Sequence, residues 1–343
     1  MQTLKIHSSI GDSTIYVGES FKNVAKYIPN TKVAIITDST VKKLYGHSFP
    51  HAEVVITLEP GEAHKTIQSL DVIFEHLVEH EFDRSSFILA IGGGIVCDIA
   101  GFAASIFMRG IAFGFISTTL LSQVDASVGG KNGVNFRGYK NMIGSFNLPS
   151  FVICDPNMLT SLGNENILCG MGEVVKHGAI AYASLFEYIE NNIEQVKARN
   201  PEVFARFVHD SVVIKSNIVN KDAKEKGERR KLNFGHTFAH AFEKIQKIPH
   251  GMAVSIGMVI AAKISEKRGL LAHSEVERLI NLLQALSMPT EINLLPEELF
   301  SVLKRDKKRE GEAIHFVMLT AIGTSVVEKI SLSELNRIIY DLY

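Results

Sequence analysis

Three histidines crowd the stretch "KLNFGHTFAHAFEKIQKIPHGM", residues 231 to 252: His236, His240 and His250. Imidazole is the commonest side-chain metal ligand, so a cluster of this kind in an otherwise apolar, helix-forming segment points to a divalent cation. His236 and His240 are four residues apart and share one helical face, while Pro249 breaks the chain and lets His250 turn back. A catalytic zinc-like site usually keeps three protein ligands, often two histidines and a carboxylate, and leaves a position open for substrate or water. The best upstream carboxylate is Glu173 in "CGMGEVVKHG", where glycines permit close approach and Lys176, three residues on, shares the face. Spacing alone selects His236 and His240 and leaves His250 open. A hydrogen-bonded structural role is the commoner fate of any one histidine; the crowding favours the metal.

Two stretches of the first half could hold anions. "LAIGGGIVCDIAGFAAS" passes from a strand through three glycines into a helix, where positive φ and close backbone approach would suit a pyrophosphate at a helix N-terminus. Cys97 stands where a third fingerprint glycine would be, so a tight structural turn and a nucleotide site both remain open. Asp98 and Asp38 could each accept a hydrogen bond from a nucleotide or serve as capping carboxylates. "STTLLSQVDASVGGKNGVNFRGYKNMIGSF", residues 117 to 146, combines Thr118, Thr119, Asp125, Lys131, Lys140 and Asn141 with repeated glycines, a mixture suited to an ordered oxyanion-binding loop. Its apolar residues, among them Leu120, Val124, Val128 and Ile143, argue that it is packed. In the second half Lys215 lies among Val212, Val213, Ile214 and Ile218, so it must snorkel outward or meet an anion. Arg229 and Arg230 precede the histidine segment, and Lys307 and Lys308 belong to a charge run that, taken alone, reads as a solvated face.

The elements that must position these groups fall into two textures. Near-continuous apolar runs at 32–38, 86–94, 112–119 and 151–156 read as buried parallel strands with loops at their carboxyl ends. Between them "TIQSLDVIFEHLVEHEF" puts Ile67, Leu70, Ile73, Phe74, Leu77 and Val78 on one helical face. From about residue 157 long amphipathic segments follow one another, including one that Ser274 could cap, and only "IHFVMLTAIGTSVVEKI" reads as a small strand pair. The expected organisation is an α/β domain over residues 1–156 and a mostly α-helical domain over residues 157–343, with a ligand cleft where they meet. A length of 343 residues with 46% hydrophobic content supports two ordinary cores. A net charge of −1 gives no basic field for nucleic acid or an anionic membrane. The most lipid-like run, "GMAVSIGMVIAAKI", is too short to span a bilayer, and the N-terminus lacks a signal-peptide pattern. Cys97, Cys154 and Cys169, an odd number in apolar surroundings, read as reduced thiols, so a cytoplasmic protein is expected.

Taken in order, "GGGIVCDIAGFAA", "FMRG", "TTLLSQVDASVGGKNGVN", "KNMIGSF", "GMGEVVKHG", "NFGHTFAHAFE" and "HGMAVSIGM" resemble the 3-dehydroquinate synthase family of sugar phosphate cyclases over essentially the whole chain. The resemblance implies an N-terminal NAD-binding domain, a C-terminal domain holding zinc or another divalent metal such as cobalt, and an active site between them. It implies conversion of 3-deoxy-D-arabino-heptulosonate 7-phosphate to 3-dehydroquinate and phosphate, through transient oxidation by NAD, phosphate elimination, re-reduction and aldol closure. It assigns the metal to Glu173, His236 and His250, which revises the choice from spacing, and reserves His240 for substrate. Cofactor contacts fall at Asp38, Glu62, Lys65, Gly94, Asp98, Thr118, Thr119, Lys131 and Lys140. The substrate phosphate falls to Lys131, Asn141, Asn233, His240 and Lys307, with Arg109 donated by a second subunit of a homodimer. Lys215 and Arg229 would hold the substrate carboxylate, with Asp125 and Lys176 near its hydroxyls. One departure is "SLGNEN", 161–166, where the family commonly shows T-L-P-x-R-E, which bears on any cofactor contact from Ser161. The rival readings are a cyclase making a different carbocycle, which would not need the carboxylate clamp, a metal- and NAD-dependent polyol dehydrogenase, and a metal-stabilised binding protein.

Overall fold

The computed structural model describes residues 1–292, 294, 296–303, 309–310 and 313–342. They form two compact units, one of residues 1–163 with 204–224, the other of residues 164–203 with 225–343.

The first unit is built on a seven-stranded sheet. β1 (Gln2–Ser8) and β2 (Gly11–Val17) pair antiparallel at one edge. β3 (Val33–Asp38), β4 (Val54–Leu58), β5 (Phe87–Gly92) and β6 (Ala112–Ser117) run parallel. β7 (Lys131–Phe136) and β8 (Tyr139–Phe146) make a separate hairpin, and β9 (Phe151–Cys154) returns to the main sheet in the order β1-β2-β9-β6-β5-β3-β4. The four apolar runs of the sequence are thus β3, β5, β6 and β9, buried on both faces by helices as parallel strands require. Their core joins Val33, Ile35, Leu89, Ile91, Ile116 and Ile153 to Phe21 and Phe151. α1 (Ser39–Tyr45), α2 (Ile67–Glu79) and α3 (Gly94–Ile106) follow β3, β4 and β5. α2 buries Leu70, Ile73 and Leu77, whereas Val78, expected on the same face, is 67% exposed because it falls at the rim of the apolar stripe.

β3 is flanked by β4 on one side and β5 on the other, so the chain reverses its direction of travel across the sheet at that point. Connections leaving a parallel sheet in opposite directions open a crevice beyond the strand ends, the usual seat of a nucleotide. Asp38 ends β3, the glycine turn ends β5 and Thr118 follows β6, all at this carboxyl edge. None of Gly92, Gly93 and Gly94 takes the positive φ that the sequence reading allowed. Their requirement is space: a β-carbon would lie 2.5 Å from Val96 at Gly92, 2.9 Å from Thr119 at Gly93 and 2.9 Å from Ala126 at Gly94.

The second unit is mostly helical: α4 (Asn164–Ala181), α5 (Ala183–Glu190), α6 (Ile193–Lys197), the first residues of α7 (Pro201–Lys221), α8 (His236–Gln246), α9 (His250–Lys267), α10 (His273–Ala285), α11 (Pro296–Leu303) and α12 (Leu332–Leu342). A small antiparallel sheet carries β10 (Arg309–Glu310), β11 (Ala313–Ala321) and β12 (Thr324–Ser331). α10 begins two residues earlier than Ser274 could cap it, with Ala272 at the N-cap position. α9 is apolar around most of its circumference and almost wholly buried, as a central helix should be. No helix among the described residues is long and apolar enough to cross a membrane.

α9 is approached very closely by two neighbours. A β-carbon at Gly251 would lie 2.4 Å from the backbone of Cys169 on α4, and one at Gly257 would lie 2.1 Å from the Gly235 carbonyl oxygen ahead of α8. Gly251→Ala must therefore push α4 and α9 apart, and overpacking of this kind costs about 1–3 kcal/mol. Thermal unfolding of this variant should show a clear loss of stability; an unchanged midpoint would mean that the helices are not held at this separation.

Candidate functional site

The second unit brings one carboxylate and two imidazoles to a point. Glu173 lies mid-way along α4, His236 opens α8 and His250 opens α9. One ligand atom from each lies within 4.8 Å of the others. Glu173 Oε1 is 3.4 Å from His236 Nε2 and 3.3 Å from His250 Nε2. The far nitrogens are engaged elsewhere: His236 Nδ1 is 3.1 Å from the Phe234 carbonyl oxygen, and His250 Nδ1 is 2.5 Å from Glu243 Oε1. Those partners accept hydrogen bonds and cannot donate, so both Nδ1 atoms carry protons, and the Nε2 atoms that face Glu173 are the ones whose lone pairs a cation could take. Two imidazole nitrogens and one carboxylate oxygen are a donor set that fits a zinc-like divalent cation. The pair chosen on spacing is corrected: the His240 ring meets the His236 ring edge-on at 5.7 Å, but His250 completes the convergent trio. A three-residue turn explains this, since Lys247 adopts a left-handed conformation and Pro249 caps α9, which folds His250 back beside α8.

Glu173 is fully buried, and its second oxygen is paired with the equally buried Lys176. Burial opposes the charge on Glu173, but Lys176 and His236 outweigh it, with a further hydrogen bond from His250, and hold its carboxyl well below the usual carboxylate range. Burial likewise pushes His236 down to about 4. Burial also works against a charge on His250, yet its hydrogen bonds to Glu173 and Glu243 prevail and push it up to about 9.

In the first unit several cofactor candidates follow the carboxyl ends of the sheet strands. Lys65 and Asp98 form an ion pair, and Lys65 Nζ also donates to Asn141 Oδ1 at 2.6 Å. Asn135 links Asn141 to Glu62: the Asn141 N–H donates to Asn135 Oδ1 at 2.8 Å, and Asn135 Nδ2 donates to Glu62 Oε1 at 2.8 Å. Glu62, Lys65, Asp98 and Asn141 thus belong to one polar network tying α3 to the β7–β8 hairpin. Burial pushes the Asp98 carboxyl up, and Lys65 only partly offsets it. Asp38 caps α1 by accepting from the Val41 N–H at 2.9 Å, the capping alternative of the sequence reading. Thr118 is buried, and its N–H donates to the Gly92 carbonyl; the Thr119 hydroxyl donates to Ser122 at 3.0 Å. Ser161 hydrogen-bonds the Tyr45 hydroxyl at 2.6 Å. Gly94 opens α3 with its amide end at the crevice, so backbone, glycine turn and switch point together fit a dinucleotide.

The remaining candidates divide between the units. Lys215 meets an anion rather than snorkelling: its Nζ is 2.5 Å from Asp125 Oδ1 and 2.6 Å from the Asp125 carbonyl oxygen. Lys131 and Lys140 sit exposed on the β7–β8 hairpin. Arg109 is exposed in a short turn with φ of 69°. In the second unit Arg229 is almost completely buried in the turn Glu228–Asn233, and Asn233 donates from Nδ2 to Glu225 Oε1. Lys307 lies outside the described residues. The sequence reading missed Glu243, Glu225 and Asn135; Glu243 had a signal, a carboxylate seven residues after His236 and so on the same helical face.

Residues 55–169 match the family model for the 3-dehydroquinate synthase N-terminal domain, and residues 170–309 match that for its C-terminal domain. A 3-dehydroquinate synthase of Halorhodospira halophila (strain DSM 244 / SL1) is 39% identical over 323 residues, covering 91% of each chain. One of Geobacter sp. (strain M21) is 40% identical over 311 residues, covering 90% of this chain and 86% of the relative. Among solved structures, a 2-deoxy-scyllo-inosose synthase complexed with carbaglucose-6-phosphate, NAD+ and Co2+ superposes with a TM-score of 0.87 at 25% identity, over 99% of this chain and all of the other. The 2-epi-5-epi-valiolone synthase ValA of Streptomyces hygroscopicus subsp. jinggangensis 5008, with NAD+ and Zn2+ bound, superposes with 0.88 at 26% identity over 96% of each chain.

A ligand imidazole must be unprotonated, so cation uptake at the trio competes with the proton on His250. Zinc affinity of the metal-free protein should rise with pH through neutrality and level off above about 9, with proton release seen by calorimetry in buffers of different ionisation enthalpy. His250, raised above its ordinary 6.5, lends the metal-free fold stability that is present below that value and lost as pH rises through about 9. Zinc uptake without proton release near pH 7.5 would contradict this arrangement.

Proposed function

The chain belongs to the 3-dehydroquinate synthase family, and from that premise we propose that it converts 3-deoxy-D-arabino-heptulosonate 7-phosphate to 3-dehydroquinate and inorganic phosphate, eliminating phosphate with no net redox change. The single observation that carries the reading is the convergence of Glu173, His236 and His250 in a buried, charge-compensated cluster. A cation held there, zinc or cobalt as in the related cyclases, supplies a Lewis acid that lowers the pKa of a substrate hydroxyl. NAD+, for which the crevice beyond β3 and β5 is suited, supplies a hydride acceptor that is regenerated within the cycle.

The chain's own residues then divide the work. Lys176 keeps Glu173 ionised, and the Nδ1 hydrogen bonds keep both imidazoles facing the cation. The substrate carries a carboxylate at one end and a phosphate at the other, so two separate cationic clamps are required. Lys215 and Arg229 are assigned the carboxylate; both are buried, and a buried cation that meets an anion exchanges one partner for another rather than losing water. Lys131, Asn141, Asn233, His240 and Lys307 are assigned the phosphate, and Asp125 and Lys176 the hydroxyls. Fixing both ends holds the carbon chain near the geometry in which it cyclises. Asp38, Glu62, Lys65, Gly94, Asp98, Thr118, Thr119, Lys131, Lys140 and Ser161 are assigned to the cofactor, with Asp38 and Ser161 already engaged by α1 residues.

A homodimer, with Arg109 reaching the partner's phosphate site, is supported by the exposed turn that carries Arg109 and by the exposure of Ile106 and Met108 around it. The three cysteines are free and buried, which supports a reducing, cytoplasmic setting.

Purified protein given the heptulosonate phosphate, zinc and a trace of NAD+ should release phosphate and the carbocycle in equal amounts over many turnovers of cofactor. Stoichiometric NADH without phosphate release would instead identify a dehydrogenase. Lys215→Ala should lower kcat/KM for the heptulosonate phosphate by about 10- to 100-fold, the loss expected for a charge-assisted hydrogen bond. A parental kcat/KM in this variant would remove Lys215 from the carboxylate clamp.

A further inference from the structure

Glu243 is a buried carboxylate near the end of α8. The position is unfavourable on general grounds: α8 ends at Gln246, and a negative charge in the last turn of a helix faces the negative end of its dipole. Its side chain is only 3% exposed, so it is also removed from water. A charge kept in such a place needs a compensating contact, and the His250 Nδ1 atom, 2.5 Å away, provides one.

We propose that Glu243 is a positioning residue for the metal centre, fixing the tautomer and ring orientation of His250. The inference rests on the metal reading of Glu173, His236 and His250 and adds a fourth residue to it. His236 and Glu243 are seven residues apart on α8 and therefore share its face, and His250, carried back by the turn before α9, meets Glu243 through Nδ1 while Nε2 points to Glu173. A carboxylate accepts hydrogen bonds and donates none, so the ring proton is confined to Nδ1 and the Nε2 lone pair is left for a cation. His236 is oriented by a backbone carbonyl, which no side-chain substitution removes, whereas the His250 support can be removed by one substitution. The negative charge also raises the electron density that the imidazole offers to a cation.

The test is carried out on the full chain without substrate, with zinc as the probe. Affinity is read by competition with a chromophoric chelator, and coordination is read from the visible spectrum of the cobalt-loaded protein. Glu243→Ala should weaken zinc binding by about 10- to 100-fold and alter the cobalt spectrum, the usual consequence of removing an outer carboxylate from a ligand histidine. Glu243→Gln keeps the volume and an acceptor oxygen but not the charge, and should fall between the parent and Glu243→Ala. A merely structural role would lower thermal stability without this ordered change in affinity and spectrum. Parental affinity and an unaltered cobalt spectrum in Glu243→Gln overturn the proposal, whether or not Glu243→Ala folds. His250→Ala, run alongside, separates the two levels: if it keeps parental zinc affinity, the metal reading itself fails; if it loses zinc while Glu243→Gln does not, only the role of Glu243 fails.

Discussion

A carboxylate buried out of reach of water, facing two imidazoles, is the constraint on which the second unit depends. Removing an ion from water costs several kcal/mol even after the protein relaxes around it, and the cost stands unless partners compensate. Lys176 compensates one oxygen of Glu173. The other oxygen looks at two Nε2 atoms at 3.3 and 3.4 Å, and a neutral imidazole held by its Nδ1 hydrogen bond offers only a lone pair there. Lone pair against carboxylate repels, so something positive must sit between them. In the metal-free protein a proton on His250 meets that need, and its hydrogen bonds to Glu173 and Glu243 push that imidazole up, while burial pushes its neighbour His236 down. A divalent cation meets it more completely, with three donors instead of one.

Bringing three helices close enough to make that cluster is a backbone problem, and small residues solve it. Each ligand stands beside a glycine: Gly172 before Glu173, Gly235 before His236 and Gly251 after His250. A β-carbon at Gly172 would lie 2.9 Å from the Gly251 carbonyl oxygen, and one at Gly235 would lie 2.8 Å from the Met258 nitrogen. The ligand helices are therefore in backbone contact at the very residues that precede or follow their ligands. Gly235 also takes a φ of 77°, which lets the chain turn into α8 with His236 as its first residue.

Much of this organisation was legible in the sequence, and the exceptions have physical causes. The strands buried on both faces announced themselves as unbroken apolar runs, because the sheet has no polar face to alternate with. β1 and β2 lie at the sheet edge with mixed, partly exposed patterns, and β4 is short, so neither gave a comparable signal. The segment read as a packed polar loop holds the β7–β8 hairpin, whose glycines and exposed polar side chains hide its strand character. The carboxylate Glu173 and one of the two converging histidines, His236, were accessible from residue type and spacing, but spacing within one helix favours His240 over His250 as the second. Only the turn after Gln246, with its left-handed Lys247, brings His250 into the cluster, and such a turn is set by tertiary packing rather than by local pattern. Supporting carboxylates such as Glu243 and Glu225 are harder still: a seven-residue spacing from His236 is the one signal for Glu243, and nothing local marks the half-buried Glu225.

The central claim is that one divalent cation is bound by two imidazoles and a carboxylate from α4, α8 and α9. X-ray absorption at the zinc edge of the purified protein reads those donors directly. The account predicts a first shell of nitrogen and oxygen at about 2.0–2.2 Å with the multiple-scattering signature of two imidazole rings. A sulfur shell at about 2.3 Å, or an oxygen-only shell without imidazole scattering, would contradict it.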